Sequence, residues 1–140
     1  MNNIRVGIVD GLNVQKGTVR VTFPDLDDTV SEDMALLNFE QRFPQVGESV
    51  LCLFLTNGTE QGYCLGSYFN DQNLPPNPNE NKYVKKFSDG VTIEYDLKDK
   101  QLSISAENPI TINSKVISNG DVTVNGNLTV SGIISGTISN

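Results

Sequence analysis

Residues 102–138 read LSISAENPITINSKVISNGDVTVNGNLTVSGIISGTI, and one rule of alternation holds throughout. Every even position is apolar or glycine except Asn108, Ser114 and Ser118, and nearly every odd position is polar. A period of two is typical of extended backbone that buries one face. Strands of compact domains have about 5–6 residues. One phase kept over this whole stretch therefore predicts an apolar face much longer than a small domain covers.

This apolar face needs a cover, and the rest of the chain contains no second element large enough to supply it. We therefore predict that copies of the chain cover one another, as an intertwined triple-stranded β-helix in a homotrimer. The even-numbered aliphatic side chains would then form the trimer's axial core. These residues are Ile104, Ile110, Ile112, Val116, Val122, Val124, Leu128, Val130, Ile134 and Ile138.

Glycines recur in the same phase as the predicted core. Gly120, Gly126 and Gly132 lie six residues apart, and Gly136 follows them. A short fixed period is typical of wound β architectures. We predict that all four glycines lie at the axis, because three chains leave no space there for a Cβ at every level. Glycine would also permit the backbone angles of a bend toward the next face.

Two other structures compete for this region. A monomeric β-solenoid would use the same short repeat, but it needs several coils and protective end caps. A disordered tail rich in Ser and Asn is the other alternative, and the strict alternation from residue 102 argues against it.

Residues 1–70 show a different pattern, in which short strand signals are separated by turn residues. Five short strands favour a small closed barrel, for which the OB-fold is the commonest five-stranded case. Asn57-Gly58 predicts a hairpin turn between the last two strands, and Pro24–Asp28 predicts an acidic loop. The predicted strands are Ile4–Val9, Gly17–Phe23, Met34–Phe39, Ser49–Leu55 and Gly62–Tyr68.

Two further segments complete the predicted domain organisation. Residues 71–81 contain three prolines and are predicted to be a semi-rigid, extended linker. Residues 82–140 are predicted to form the trimeric needle. The odd positions from Phe87 to Leu97 are apolar except Asp89. The phase changes across Lys98–Gln101, which predicts a tight turn between antiparallel strands. Asp89-Gly90 predicts a second turn or bend. The fold class is therefore all-β.

The composition argues against enzymes, metalloproteins and nucleic-acid-binding proteins. The net charge is −7 and the chain contains no histidine. Triads based on histidine and imidazole metal ligands are thus excluded, and we expect no catalytic, cofactor or metal site. The acidic charge would repel a phosphate backbone. Cys52 and Cys64 would lie across the predicted hairpin as half-buried free thiols. The chain starts without the pattern of a signal peptide, so synthesis in the cytoplasm is expected.

Eight short motifs follow one another along the chain: Arg5–Asp10, Gly17–Val21, Phe23–Asp25, Pro44–Leu51, Leu65–Tyr68, Pro75-Pro76, Phe87–Gly90 and Glu94–Asp96. In this order, and followed by a glycine-punctuated β tail, they resemble the baseplate assembly protein V family, the central spike of contractile phage tails. The resemblance covers essentially the whole chain. It implies an N-terminal OB-fold, a C-terminal triple-stranded β-helix and a homotrimer.

The resemblance also implies a place and a function. The spike would sit in the virion's tail baseplate, attached beneath the tail-tube hub protein, and would pierce the target cell envelope. Related spikes occur in phage-tail-like bacteriocins. Many members hold an iron ion in a His-x-His apex. This chain has no histidine, so either its tip carries no metal or a separate small apex protein caps it. A sugar-binding tail-fibre module and an OB-fold oligonucleotide-binding module remain as alternatives.

Overall fold

The computed structural model describes residues 3–55 and 61–139, and it is all-β. The described residues contain no α-helix and a single 3₁₀ turn, Pro24–Leu26. The nine strands of this part of the chain are β1 Ile4–Asn13, β2 Thr18–Phe23, β3 Thr29–Val30, β4 Met34–Leu36, β5 Ser49–Phe54, β6 Gly62–Ser67, β7 Lys82–Lys86, β8 Thr92–Asp96 and β9 Gln101–Ser105.

Five of the strands close into a barrel. The order around it is β1-β2-β4-β6-β5, and β5 pairs with β1 to complete the circle. The β4–β6 pair is parallel and the other pairs are antiparallel. The five strands predicted from residues 1–70 are all present, which confirms them. The predicted Asn57-Gly58 turn lies outside the described residues.

The barrel interior is apolar and closely packed. Gly7 on β1 permits this packing, because a Cβ there would collide with Val21 and would approach the backbone oxygen of Thr22 to 2.9 Å. The Phe23 and Phe54 rings meet edge to face, with their centroids 5.7 Å apart. The buried core consists of Val9, Val19, Val21, Phe23, Met34, Val50, Cys52 and Cys64.

The acidic loop predicted at Pro24–Asp28 is followed by a sixth strand that the sequence pattern missed. Asp27 and Asp28 adopt left-handed backbone angles, with φ of 52° and 57°, which Asp tolerates better than most residues. They return the chain so that the two residues of β3 pair with the end of β2. A two-residue strand is too short to show an alternation, so the sequence carried no signal for it.

The strands β7, β8 and β9 form a separate antiparallel sheet. Both predicted turns are confirmed, since Gly90 and Lys100 lie at φ of 97° and 54° between consecutive strands. The linker packs against this sheet, because Asn77 Nδ2 donates to Glu94 Oε1 at 2.7 Å. Lys85 in the sheet also lies 3.1 Å from the Glu40 carboxylate of the barrel domain.

The tail, residues 106–139, is structured differently. Strand pairing within the described chain ends at Ser105. The triple-stranded β-helix expected for residues 82–140 would pair its strands between chains, so it stays a prediction. Every described residue of the tail is exposed. The extended backbone of this segment has no neighbouring strand to pair with among the described residues of its own chain. The predicted needle therefore does not form within one copy.

Candidate functional site

The sheet of β7, β8 and β9 presents one apolar face to solvent. Strand register places Tyr83, Tyr95 and Leu102 in one row across the sheet, and Lys85, Ile93 and Ile104 in the next. The apolar members of the two rows are Tyr83, Tyr95, Leu102, Ile93 and Ile104. All five are exposed, Tyr83 to 68% and Leu102 to 64%. Exposed apolar faces of this kind mark interaction surfaces.

The opposite face of the same sheet is polar and partly covered. Lys82 Nζ lies 3.6 Å from Glu94 and 3.9 Å from Asp96, and these three side chains are no more than 25% exposed. The linker residue Asn77 bonds to Glu94 there. Among the described residues, the linker thus contacts the polar face, whereas the apolar side chains of the other face are exposed and only Lys85 on that face contacts the barrel, through Glu40.

This open face leads directly into the tail. Leu102 and Ile104 of β9 are the first members of the even-numbered series, and the tail follows β9 without a break. The structure therefore brings Ile104 beside Ile93 and leaves the other predicted core residues spread along the tail. Their exposed fractions range from 43% to 72%: Ile110, Ile112, Val116, Val122, Val124, Leu128, Val130, Ile134 and Ile138. We call the sheet face and this series together the apolar seam.

The four glycines of the tail are a separate feature of the apolar seam. As predicted, all four lie at backbone bends; Gly120, Gly126 and Gly132 make the bend without a positive φ, whereas Gly136 has a φ of 140°. In a single chain nothing lies within 4 Å of a Cβ built at any of the four. Packing within the described chain therefore sets no requirement for glycine at these positions.

The tail backbone bends at regular intervals, and this series of bends starts earlier in the chain than the glycines do. Bends fall at residues 107–108, 114, 119–120, 125–126 and 131–132, and a last bend at Gly136 follows after a shorter interval. The six-residue repeat thus begins near Asn108 and Ser114, two polar exceptions in the even-numbered series. Sequence reasoning missed these first repeats because Asn and Ser stand where glycine stands later. The spacing of Asn113, Asn119 and Asn125, one residue before three of the six-residue positions, was the available signal.

The single-chain solenoid is not what the structure shows. A solenoid with three faces of six residues would pair each strand with the one roughly 18 residues later in the same chain. No such pair exists among residues 106–139, none of which belongs to a paired strand. The bends therefore change the direction of the tail, but they do not bury its apolar side chains within one chain.

The two cysteines face each other across β5 and β6. The strand register pairs Cys52 with Cys64, and both are free and fully buried. Their position across the hairpin is as expected, but half-burial is wrong because both point into the barrel. Their shared thiol hydrogen bond lowers the pKa of Cys64 to about 7 and raises the pKa of Cys52. Burial keeps both thiols away from reagents in solution.

The Asp96 carboxylate stabilises the turn between β8 and β9. Asp96 Oδ1 accepts hydrogen bonds from the backbone N–H groups of Lys98 and Asp99, at 2.9 and 3.1 Å. These bonds, that of Asp99 first, hold the pKa of Asp96 below its ordinary value. No group of three or more Cys, Asp or Glu in the described part of the chain could hold a metal ion. Nor does that part contain a helix with the length and hydropathy to span a membrane.

A comparison with protein-family models finds no match for this chain. A comparison with curated proteins finds no significant match either. The function therefore has to be argued from the apolar seam and the barrel.

Proposed function

We propose that the chain is the central spike of a contractile phage tail or a related injection device, and that it acts as a homotrimer. The observation that carries this proposal is the apolar seam: a sheet face and a tail of the same phase, both exposed in one chain. The barrel supports it through its strand order, in which the third and fifth barrel strands, β4 and β6, run parallel. This parallel pair supports the OB-fold that we propose for the head of such a spike.

In this proposal three chains wind around one axis. Three copies of the β7–β9 sheet turn their apolar faces inward, and the tails continue the same core below them. Each aliphatic side chain removed from water contributes about 1.5–3 kcal/mol. Glycines at six-residue intervals let the backbones approach at the axis. Strands of the tail would pair between chains, which would satisfy backbone groups that have no strand partner in one copy.

The trimer would be a mechanical part and not a catalyst. Interchain pairing along the whole tail would make bending costly, because many backbone hydrogen bonds would have to break together. Ser, Thr and Asn dominate the odd-numbered, outward positions, and the charged residues beyond Ser103 are Glu107, Lys115 and Asp121. Such an exterior would slide through a cell envelope with little electrostatic attachment. The tail-tube hub would hold the spike in the baseplate, and a separate small apex protein is a further proposed partner.

The proposal is tested by separating adsorption from delivery. A chain that stops after Ser105 keeps β9 paired and removes only the tail. Particles carrying this truncation should adsorb to cells like the wild type but deliver their genome, or kill, at least ten-fold less efficiently. Thr123→Asp, an outward substitution in the full-length tail, serves as the matched control. Lost adsorption with normal delivery into those cells that bind would contradict the piercing role and favour a sugar-binding tip.

A further inference from the structure

Cys52 and Cys64 lie opposite each other in the buried core of the barrel, on the neighbouring antiparallel strands β5 and β6. Both are free thiols, and they share a hydrogen bond between their sulfur atoms. A single buried cysteine behaves as a small apolar residue that fills space. Two cysteines in direct contact across a strand pair have a further chemistry, which is a covalent bond between them.

The backbone hydrogen bonds show which type of cross-strand pair the two cysteines form. Just beyond β5, Leu55 N–H donates to the backbone oxygen of Gln61 at 2.9 Å, so these two residues are in hydrogen-bonded register. Hydrogen-bonded and non-hydrogen-bonded pairs alternate along an antiparallel ladder, and Cys52 with Cys64 lies three positions away. In agreement, the Cys64 carbonyl points away from β5 and accepts from Leu37 N–H at 2.9 Å. The cysteines are therefore a non-hydrogen-bonded pair.

This type of pair brings the side chains close enough for a disulfide. Opposed residues of a non-hydrogen-bonded pair have Cα atoms about 4.5 Å apart, and disulfides bridge Cα separations of about 4.4–6.8 Å. The register shifts directly beside the pair, between Leu51 and Cys52, and Gly66 on the other strand has a φ of 106°. A ladder is locally disrupted at such an irregularity, so the strands can adjust as the two sulfur atoms approach.

Access to the pair depends on β4, the shortest strand of the barrel. It pairs with β6 at two positions only, Ala35 with Tyr63 and Leu36 with Cys64, and its pairing with β2 is equally short. Elements held by few contacts open more readily than the rest of a domain. In the closed barrel both thiols are 0% exposed. Separation of β4 from β6 is therefore the opening that would bring a reagent to Cys64.

We propose that Cys52 and Cys64 are a redox-sensitive pair, which forms a cross-strand disulfide between β5 and β6 when the chain meets a small-molecule disulfide such as oxidised glutathione. This inference goes beyond the proposed function, because it depends on the barrel alone. The disulfide joins the last barrel strand, from which the linker and the tail continue, to its neighbour. In a particle released from a cell, the barrel would pass from reducing to oxidising surroundings, in which disulfides persist.

The reaction is a thiol–disulfide exchange in two steps. The Cys64 thiolate attacks one sulfur of the oxidant, so that a mixed disulfide forms and one thiolate leaves. Cys52 Sγ then attacks Cys64 Sγ, and the second thiolate leaves. The protein gives up two electrons and two protons, and the oxidant takes up both and becomes two thiols. The pKa of Cys64, lowered to about 7 by the hydrogen bond with Cys52, favours Cys64 as the attacking thiol.

The test incubates the purified, reduced full-length chain with oxidised glutathione and maps the thiols by mass spectrometry after an acid quench. Cleavage after glutamate residues separates the two cysteines, because Glu60 lies between them and the products are residues 49–60 and 61–80. We expect most of the chain to give these two peptides as one disulfide-linked species without bound glutathione. The barrel of the oxidised chain should melt about 5 °C or more above that of the reduced chain.

Cys64→Ala is the matched control, because it leaves Cys52 without a partner, and its melting temperature should be the same in both buffers. Cys52→Ala replaces it if the first variant does not fold. Two free thiols in the folded wild type, under conditions in which the chain unfolded in urea forms the linked peptide, would overturn the proposal. Glutathione adducts or links between chains in place of the linked peptide would overturn it as well. The mass in solution is measured on the same samples, so a failure of the trimer is recorded separately.

The opening at β4 is tested by the rate of oxidation. Met34→Ala removes a core side chain of β4 that is 3% exposed, whereas Val9→Ala removes one that is 1% exposed on the ten-residue strand β1. Both variants are measured at the same interval below their own melting temperatures, so that global unfolding contributes equally. The disulfide should form about three-fold faster or more in Met34→Ala, because local opening of β4 becomes easier. Equal rates in the two variants would contradict opening at β4.

Discussion

The barrel and the tail contain the same kinds of side chain in the same alternating pattern, yet they differ completely in burial. Val21 and Val50 in the barrel are 0% exposed, whereas Val124 and Ile138 in the tail are 49% and 72% exposed. The barrel closes on itself, so its strands supply each other's cover. The tail bends about every six residues, but none of its described residues belongs to a paired strand. The alternation tells which face of a strand is to be buried, and only the topology tells what buries it.

The largest expected effect comes from a charge in the middle of the tail. Val124→Asp would place three carboxylates at one level of the trimer axis, desolvated and close together, where nothing neutralises them. We expect the variant to lose its trimeric mass in light scattering. Thr123→Asp, one residue away on the opposite face, should remain trimeric and melt like the wild type. Equal behaviour of the two variants would show that the even positions do not face the axis.

The next effect separates the barrel from the tail. Phe23 is 3% exposed and packs against Phe54, so Phe23→Ala should lower barrel stability by about 3–5 kcal/mol. Phe39→Ala, at a 65% exposed position, should change little. The trimeric mass should be the same in both variants, because the apolar seam is untouched. Loss of the trimer together with the barrel in thermal melts would mean that the two regions do not have separate cores.

Two glycines, one in the barrel and one in the tail, allow the two regions to be compared by single substitutions. Gly11 in the barrel and Gly126 in the tail both have no atom within 4 Å of the position that a Cβ would occupy, and neither has a positive φ. If each chain acted alone, Val would be tolerated equally at both. We expect Gly126→Val to destabilise the trimer by about 1–3 kcal/mol through overpacking at the axis, and Gly11→Val to be nearly neutral. Thermal unfolding of the two variants measures the difference.

The smallest effect lies inside the barrel. Thr18 Oγ1 is the buried side-chain oxygen without a hydrogen-bond partner among the residues that the structure describes. Thr18→Val replaces that hydroxyl with a methyl group of similar size, and should raise stability by about 1 kcal/mol. Thr18→Ser keeps the hydroxyl and should not stabilise the protein. A melting temperature of Thr18→Val at or below that of the wild type would show that the hydroxyl is satisfied in solution.

The sequence predicted the barrel strands well because each run alternates against a core that the same chain provides. It also predicted the turn at Lys98–Gln101, where the change of phase needs only local pairing. It failed at Thr29–Val30, whose strand depends on β2 lying nearby and on two left-handed Asp residues. The sequence also underestimated the burial of Cys52, because the pattern of a single strand does not show that other strands close over it.

For the apolar seam the sequence identified the face but not its full extent. It indicated Ile104 and the aliphatic residues after it, whereas Tyr83, Tyr95 and Ile93 join the same face only through the register of β7, β8 and β9. It also predicted bends at the four tail glycines, and the backbone bends at all four. Properties that depend on neighbouring strands, in this copy or another, require the three-dimensional arrangement.

The mass of the purified full-length chain in solution tests the central claim most directly. Three chains joined along the apolar seam predict a particle of three times the 15.3 kDa chain mass at micromolar concentration in multi-angle light scattering. The trimeric mass should persist on dilution, because the seam buries sheet and tail together. A monomeric mass at that concentration would contradict the spike and the seam alike, and a stable dimer would contradict the threefold arrangement.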